Sequence, residues 1–256
     1  MALLDTPAAP SSSTARYALT TLVLFTLLTV AVTWPQARHA TDRVSDPGDP
    51  MLNTWALAWV AYQLPYSPAH VFDGNIFHPE RRTLAYSESL LAPAVMGAPL
   101  RYMGAGPILV YNLLMLASFV LSGVVTALLV RDLTGNGLAG VIAGAVFAFL
   151  PFRFDHYPHF QLLQTQWMPL ALWALHRLLA GGRLVWGVVL GLAVAGQALS
   201  SMYNALFLGI FLVAVGGVLL LADRPRALSR LRPLALSMLV ALVIAAPVAI
   251  AHRRAS

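Results

Sequence analysis

Residues 45–64 read SDPGDPMLNTWALAWVAYQL, and what they become decides the fold. The apolar part, Met51 to Leu64, is too short to cross a bilayer, which needs about twenty apolar residues. It places Trp55, Trp59 and Tyr62 at i, i+4 and i+7, on one helical face. Trp and Tyr favour the headgroup level of a membrane, so the spacing predicts a helix lying in the outer interface. This stretch sits inside a polar interruption from Pro35 to Pro107. The interruption carries Asp42, Asp46, Asp49, Asp73, Glu80 and Glu88, six of the ten acidic residues in the chain. Ionisable groups beside a bilayer are costly and mark places where they work.

Outside the interruption the chain is apolar. It is 59% hydrophobic and 10% charged, with a mean hydropathy of +0.73, which predicts an all-α polytopic transmembrane bundle. About seven spans are expected, near 17–34, 108–130, 137–152, 164–180, 184–200, 203–222 and 233–251. The connectors RDLTGNG (131–137), LAGGR (179–183) and DRPRALSRLRP (222–233) carry turn or breaker residues. The first apolar run exceeds the roughly 7–15 residues of a signal core, so it is read as a retained span behind a cytoplasmic tail, residues 1–16. Residues 17–256 then form one module, with an external loop of about 35–107 after the first span. Ser89 to Met103, interrupted by Pro93, Gly97 and Pro99, is read as a second interfacial or re-entrant helix.

All sixteen basic residues are Arg, scattered among loops rather than gathered on one face, which argues against a nucleic-acid partner. With the N-terminus inside, Arg16, Arg131, Arg177, Arg183, Arg224, Arg226, Arg230 and Arg232 fall on the cytoplasmic side, against Arg153 alone in the short external loops. That bias fixes the orientation and puts the long acidic loop outside. With no cysteine, thiolate chemistry and disulfides are excluded.

Three stretches carry candidate chemistry. In SDPGDP, Asp49-Pro50 is both a favoured helix start and a carboxylate held at the membrane surface as a general base; Asp46 is ordinary turn chemistry or a second base. In FHPERRTLAYSE (77–88), His78, Arg81 and Arg82 form a cationic cluster suited to phosphate, or simply meet lipid headgroups. Glu88, beside an apolar segment, is harder to read as a solvated charge. In PFRFDHYPHFQLLQTQW (151–167), Arg153, Asp155, His156 and His159 share the external side. They face a donor phosphate, or pack in an aromatic belt. A divalent cation is the minor alternative, because Pro158 breaks the His-x-x-His spacing and the pair supplies too few ligands. No cofactor is expected. Gln197, Ser200, Ser201, Tyr203 and Asn204 either satisfy neighbouring backbone or line an acceptor cleft.

The runs GDPMLNTWALAWVAYQL, NIFHPERRTLAYSE, VRDLTGNGLAGVIAGAVFAFLPFRF and HFQLLQTQWMPLAL resemble a group of bacterial membrane proteins near the GT-C glycosyltransferases, which use lipid-phosphate-linked sugars. The resemblance covers about residues 17–250. It implies a bacterial inner-membrane protein that moves a sugar from a polyprenyl-phosphate donor to a glycan, lipid or protein acceptor at the outer face, with inversion. Asp49, with Asp46 second, matches the position of the catalytic carboxylate; Arg81, Arg82 or Arg153 would receive the leaving phosphate. Family members generally continue past the seventh span, whereas this chain stops at AHRRAS, so a C-terminally truncated module is expected. A non-catalytic membrane subunit or inactive module is the alternative. A transporter or flippase fits less well, because the spans are nearly free of charge.

Overall fold

The computed structural model describes residues 12–222 and 224–255. Among them every regular element is helical. Long apolar runs give α1 (Ser12–Val32), α5 (Pro107–Thr134), α6 (Gly137–Ala148), α11 (Met202–Ala222) and α12 (Arg224–Ala255). Shorter ones give α9 (Trp167–Gly181) and α10 (Leu184–Ala198). The polar interruption folds into α2 (Trp34–Arg38), α3 (Asp49–Tyr66) and α4 (Leu91–Tyr102), and the second loop into α7 (Pro151–Asp155) and α8 (Phe160–Leu163).

Among the described residues five segments are long and apolar enough to cross a membrane: Ser13–Val32, Pro107–Thr134, Gly137–Asp155, Met202–Ala222 and Ser229–Arg253. The molecule is therefore a helical membrane bundle. α9 and α10, at 15 residues each, are about 22 Å long and shorter than a bilayer's hydrocarbon core of about 30 Å. The connector expected at 222–233 is helical from Arg224 onward. Pro225 falls in the first turn, where its missing N–H costs nothing. Pro233 is accommodated within α12, its carbonyl lying against Gly187. The expected tail, residues 1–16, lies outside the described residues up to residue 11, as do the side chains of Arg224 and Arg226.

Small residues let the helices close on one another. A Cβ on Gly140 would fall 2.5 Å from the Ala127 carbonyl oxygen, and one on Gly144 2.5 Å from that of Gly123. α5 and α6 thus meet backbone to backbone, running antiparallel. Phe25 of α1, fully buried, fills the notch beside Gly123 and Gly144 and stacks on Phe149 at 6.4 Å. In the second half, Gly187 and Gly191 bring α10 against the Pro233 and Ser237 carbonyls of α12. Asp132 at the end of α5 joins the halves: it accepts from Arg177 Nε at 2.7 Å and Trp173 Nε1 at 2.8 Å.

The loops sort to two ends. Arg131 lies over the Tyr17 ring, and Arg230 donates to the Ala180 carbonyl at 3.0 Å. The start of α1, the α5–α6 turn, the α9–α10 turn and the start of α12 therefore share one end. At the other, the Ala92 N–H donates to the Leu199 carbonyl, and His252 of α12 meets Phe72 edge-on at 6.2 Å. Here α3 and α4 pack on the start of α5, burying Ala56, Leu57, Val60, Ala94, Val110 and Met115.

The Trp stripe of α3 does something the headgroup reading did not foresee. Trp55 Nε1 donates to Asn75 Oδ1 and Trp59 Nε1 to the Val71 carbonyl, both at 2.8 Å. The indoles pin the 67–87 loop onto the helix. Tyr62 and Tyr66 remain exposed.

Candidate functional site

Asp49 begins α3. Gly48 precedes it, and the Gly48 carbonyl accepts from the Met51 N–H at 3.0 Å. Pro50 supplies the preset φ that favours a helix start. The half-exposed Asp49 carboxylate stands 3.7 Å from His159 Nε2. Residues 110 positions apart, one beginning α3 and the other just before α8, thus meet at one helix start. His156 is 5.8 Å from His159, ring to ring, and stacks on Phe152 at 4.1 Å. Its Nδ1 lies 3.0 Å from the Phe152 carbonyl oxygen, so it is turned back on its own turn.

The approach to Asp49 is held by a residue the sequence reading missed. Asn112, fully buried in α5, donates to the carbonyls of Ala40 and Arg43 at 2.8 and 2.7 Å and accepts from Gln36 Nε2 at 2.5 Å. It fixes residues 36–43 onto the bundle. A lone Asn in an apolar span was the available signal. Asp46 Oδ1 accepts from the Gly48 N–H at 2.7 Å, the local turn bond that favours Asp here. Asp46 therefore shapes the turn before Asp49.

The FHPERR loop is organised by Asp73. Its carboxylate accepts from the Arg82 N–H at 3.1 Å and lies 2.9 Å from His70 Nδ1. The bond to His70 holds the Asp73 carboxyl below its ordinary range. Arg82 takes a left-handed backbone, φ 56°, and Arg81 and His78 are exposed. The structure thus leaves Arg81 and His78 open to a ligand, while the Arg82 backbone is part of the loop's own scaffold.

Two expected ligand residues are placed otherwise. Arg153 is only 2% exposed. It donates to Thr165 Oγ1 at 2.5 Å and Ser118 Oγ at 3.0 Å, and lies 4.1 Å over the Phe119 ring. It has no ion-pair partner among the described residues, and α7 turns it inward toward α5 rather than out to a donor phosphate. Asp155 at the other end of that short helix is exposed. Glu88 accepts from the Met202 N–H at 2.9 Å, so its carboxylate sits at the positive end of α11. Burial pushes its carboxyl above the ordinary range, against the bonds from Met202, Tyr203 and Ser201. Tyr157, which hydrogen-bonds Thr33, is pushed up to about 12 by burial.

The later polar cluster is structural. Gln197 Nε2 donates to the Gln164 carbonyl at 3.0 Å, Asn204 Nδ2 to that of Leu162 at 3.1 Å, and Trp167 Nε1 to Ser200 Oγ at 3.0 Å. These bonds clamp the 160–167 loop over the bundle. Among the described residues no three His, Asp or Glu side chains converge in a way that could hold a metal ion.

Nothing among curated proteins or solved structures matches this chain. The family model described as "Domain of unknown function (DUF6311)" matches residues 16–255. That match takes in both polar loop regions and the Asp49–His159 pair, and the chain belongs to the DUF6311 family.

Proposed function

We propose that this protein is a membrane glycosyltransferase-like enzyme working at the outer face of a bacterial inner membrane. The single observation that carries the reading is the Asp49–His159 approach at 3.7 Å, which unites an acid and an imidazole from separate loops at a pinned helix start. Asp49 takes the proton of an acceptor hydroxyl. The hydroxyl oxygen attacks the anomeric carbon of a polyprenyl-phosphate-linked sugar, and the carbon–phosphate-oxygen bond breaks with inversion. Exposed Arg81 and His78 meet the leaving phosphate, whose developing charge a guanidinium stabilises. His159 orients the carboxylate. A positioned base contributes roughly 10²–10⁴-fold.

The topology belongs to the same proposal. α9 runs parallel to α5 and α10 returns beside it, so together they complete seven crossings with the N-terminus inside. Arg131, Arg177, Arg183 and Arg230 gather at the inner end, in keeping with the positive-inside bias. The second reading is a non-catalytic membrane subunit, favoured by Asp49's place at a helix start, where an acid is stabilising without any chemistry.

The test is mass spectrometry of cell-envelope glycans from cells lacking the protein, complemented with wild type or Asp49→Asn at matched expression. The transfer reading expects a saccharide that wild type restores and Asp49→Asn does not. Full restoration by Asp49→Asn would remove Asp49 as the base and leave the subunit reading.

A further inference from the structure

The C-terminal turns of α3 and α4 enclose a groove of about 380 Å³ whose lining includes Ala61, Tyr62, Pro65, Tyr66, Arg101 and Tyr102. Pro65 lies inside α3 and lacks the N–H that would take the Ala61 carbonyl four residues back. The Tyr102 hydroxyl replaces it, donating to that carbonyl at 2.9 Å, so the two walls are tied together. Tyr62 and Tyr66, with rings 5.3 Å apart, stand on one wall. Half-buried Arg101 stands on the other. Its Nη1 donates to the Ala105 carbonyl, which holds the guanidinium in place, and its other nitrogens remain accessible. It has no ion-pair partner among the described residues.

An accessible guanidinium in a groove lined by no carboxylate selects an anion. The rest of α4 identifies its source. Val95, Met96, Pro99, Tyr102 and Met103 fall at i, i+1, i+4, i+7 and i+8, and all are exposed. One whole face of the helix is therefore apolar and unpartnered, with Arg101 beside its end. A helix of that kind lies in a bilayer's interface, its rings at the headgroup level and its cation on the phosphates. A soluble anion would leave the apolar face in water, and a second copy packed face to face would bring another Arg101 and no carboxylate. We propose that the α3–α4 groove binds the phosphodiester of an anionic glycerophospholipid, in the leaflet that this end of the bundle meets. Arg101 donates to the phosphate oxygens, the Tyr62 and Tyr66 rings flank the glycerol, and the acyl chains run along Val95, Met96 and Pro99. Tyr62 lies about 20 Å along α3 from Asp49, so the site is separate from the Asp49–His159 pair and does not rest on the transfer reading.

The test is native mass spectrometry of the full-length protein, delipidated in an uncharged detergent and titrated with phosphatidylglycerol, phosphatidylcholine or glycerol phosphate. One phosphatidylglycerol should be retained most tightly, phosphatidylcholine more weakly, and glycerol phosphate not measurably. Arg101→Gln should weaken phosphatidylglycerol binding about tenfold, the low end for a charged hydrogen bond because the guanidinium is half-exposed. Tyr66→Ala, at a 77% exposed position, should weaken it as well. Arg38→Gln, which removes an exposed cation of α2 at the same end, should leave it unchanged. Phosphatidylglycerol held no tighter than phosphatidylcholine, or an unchanged affinity in a folded Arg101→Gln protein, would overturn the proposal. So would an equal loss in Arg38→Gln, glycerol phosphate bound as tightly as the lipid, or a dimer that forms in place of the lipid adduct. Should Arg101→Gln fail to fold, the wild-type comparison of the two lipids and Tyr66→Ala decide the matter.

Discussion

Asn112→Ala removes the three hydrogen bonds that hold the approach to Asp49. Each net hydrogen bond is worth about 0.5–1.5 kcal/mol, and an orphaned buried partner costs about 1–3. The Gln36 amide is nearly buried, whereas the Ala40 and Arg43 residues are at least partly open to water. The Gln36 loss therefore falls toward the upper figure and the two carbonyls toward the lower. The sum is about 2–4 kcal/mol, confined to residues 36–43 because the rest of α5 keeps its apolar contacts. At about 1.4 kcal/mol per factor of ten, the segment should open roughly 30- to 1,000-fold more often. Hydrogen exchange followed by mass spectrometry reads this directly. The N–H groups of His39, Asp42 and Arg43, which close the turn onto the Gln36 and His39 carbonyls, should exchange faster by that factor, while peptides from α9 and α10 should not change. If protection of 36–43 is unaltered in a folded Asn112→Ala protein, the anchoring role assigned to Asn112 is wrong.

Gly144→Ala should force α5 and α6 apart and lower stability by about 1–3 kcal/mol, because the new methyl meets the Gly123 carbonyl oxygen. Gly209→Ala, where nothing lies within 4 Å, should be neutral or slightly stabilising in the same detergent-melting assay. Asp73 has a depressed carboxyl in the folded loop, so its stabilisation is present above the unfolded value of about 3.9 and lost as pH falls through the folded one. The melting difference between wild type and Asp73→Asn should therefore shrink below about pH 4, and a constant difference would contradict the assignment. Glu88 is raised, so its contribution is full below about 4.3 and lost as pH rises through the folded value. Glu88→Gln should gain on wild type between pH 4 and 7, and a gain in the opposite direction would refute the burial cause.

The long helices were legible because an apolar run of twenty residues has few other fates. The start of α3 was legible for a local reason, the Asp-Pro pair at 49–50. Boundaries failed where charge was tolerated inside a helix. α5 runs on through Arg131 and Asp132 because Tyr17 and Arg177 meet them, partners no local pattern announces. α1 ends at Val32 and the chain breaks at Thr33 before α2 begins, earlier than its hydropathy indicates. Within the site, Asp49 and His159 were each nameable, but their meeting depends on how α8 packs under α3. Arg153 misled for a related reason. Its neighbours in sequence are loop residues, whereas its neighbours in space, Ser118, Ser122 and Thr165, are hydroxyls on α5 and the following loop. Asn112 stood out only as a lone amide in an apolar helix, and its partners Gln36, Ala40 and Arg43 lie about 70 residues away, beyond any local pattern.

The buried Arg153 has an electrical consequence. In the orientation proposed above it sits toward the outer end of the bundle, a cation without a neighbouring carboxylate. A unit charge crossing the full membrane gains about 2.3 kcal/mol per 100 mV, and a cation part-way in feels the corresponding fraction. With the cell interior negative, that force is directed inward, from α7 toward the hydroxyls of α5. In that proposed orientation an energised membrane would press the segment carrying His156 and His159 down onto the bundle, and a discharged one would release that load.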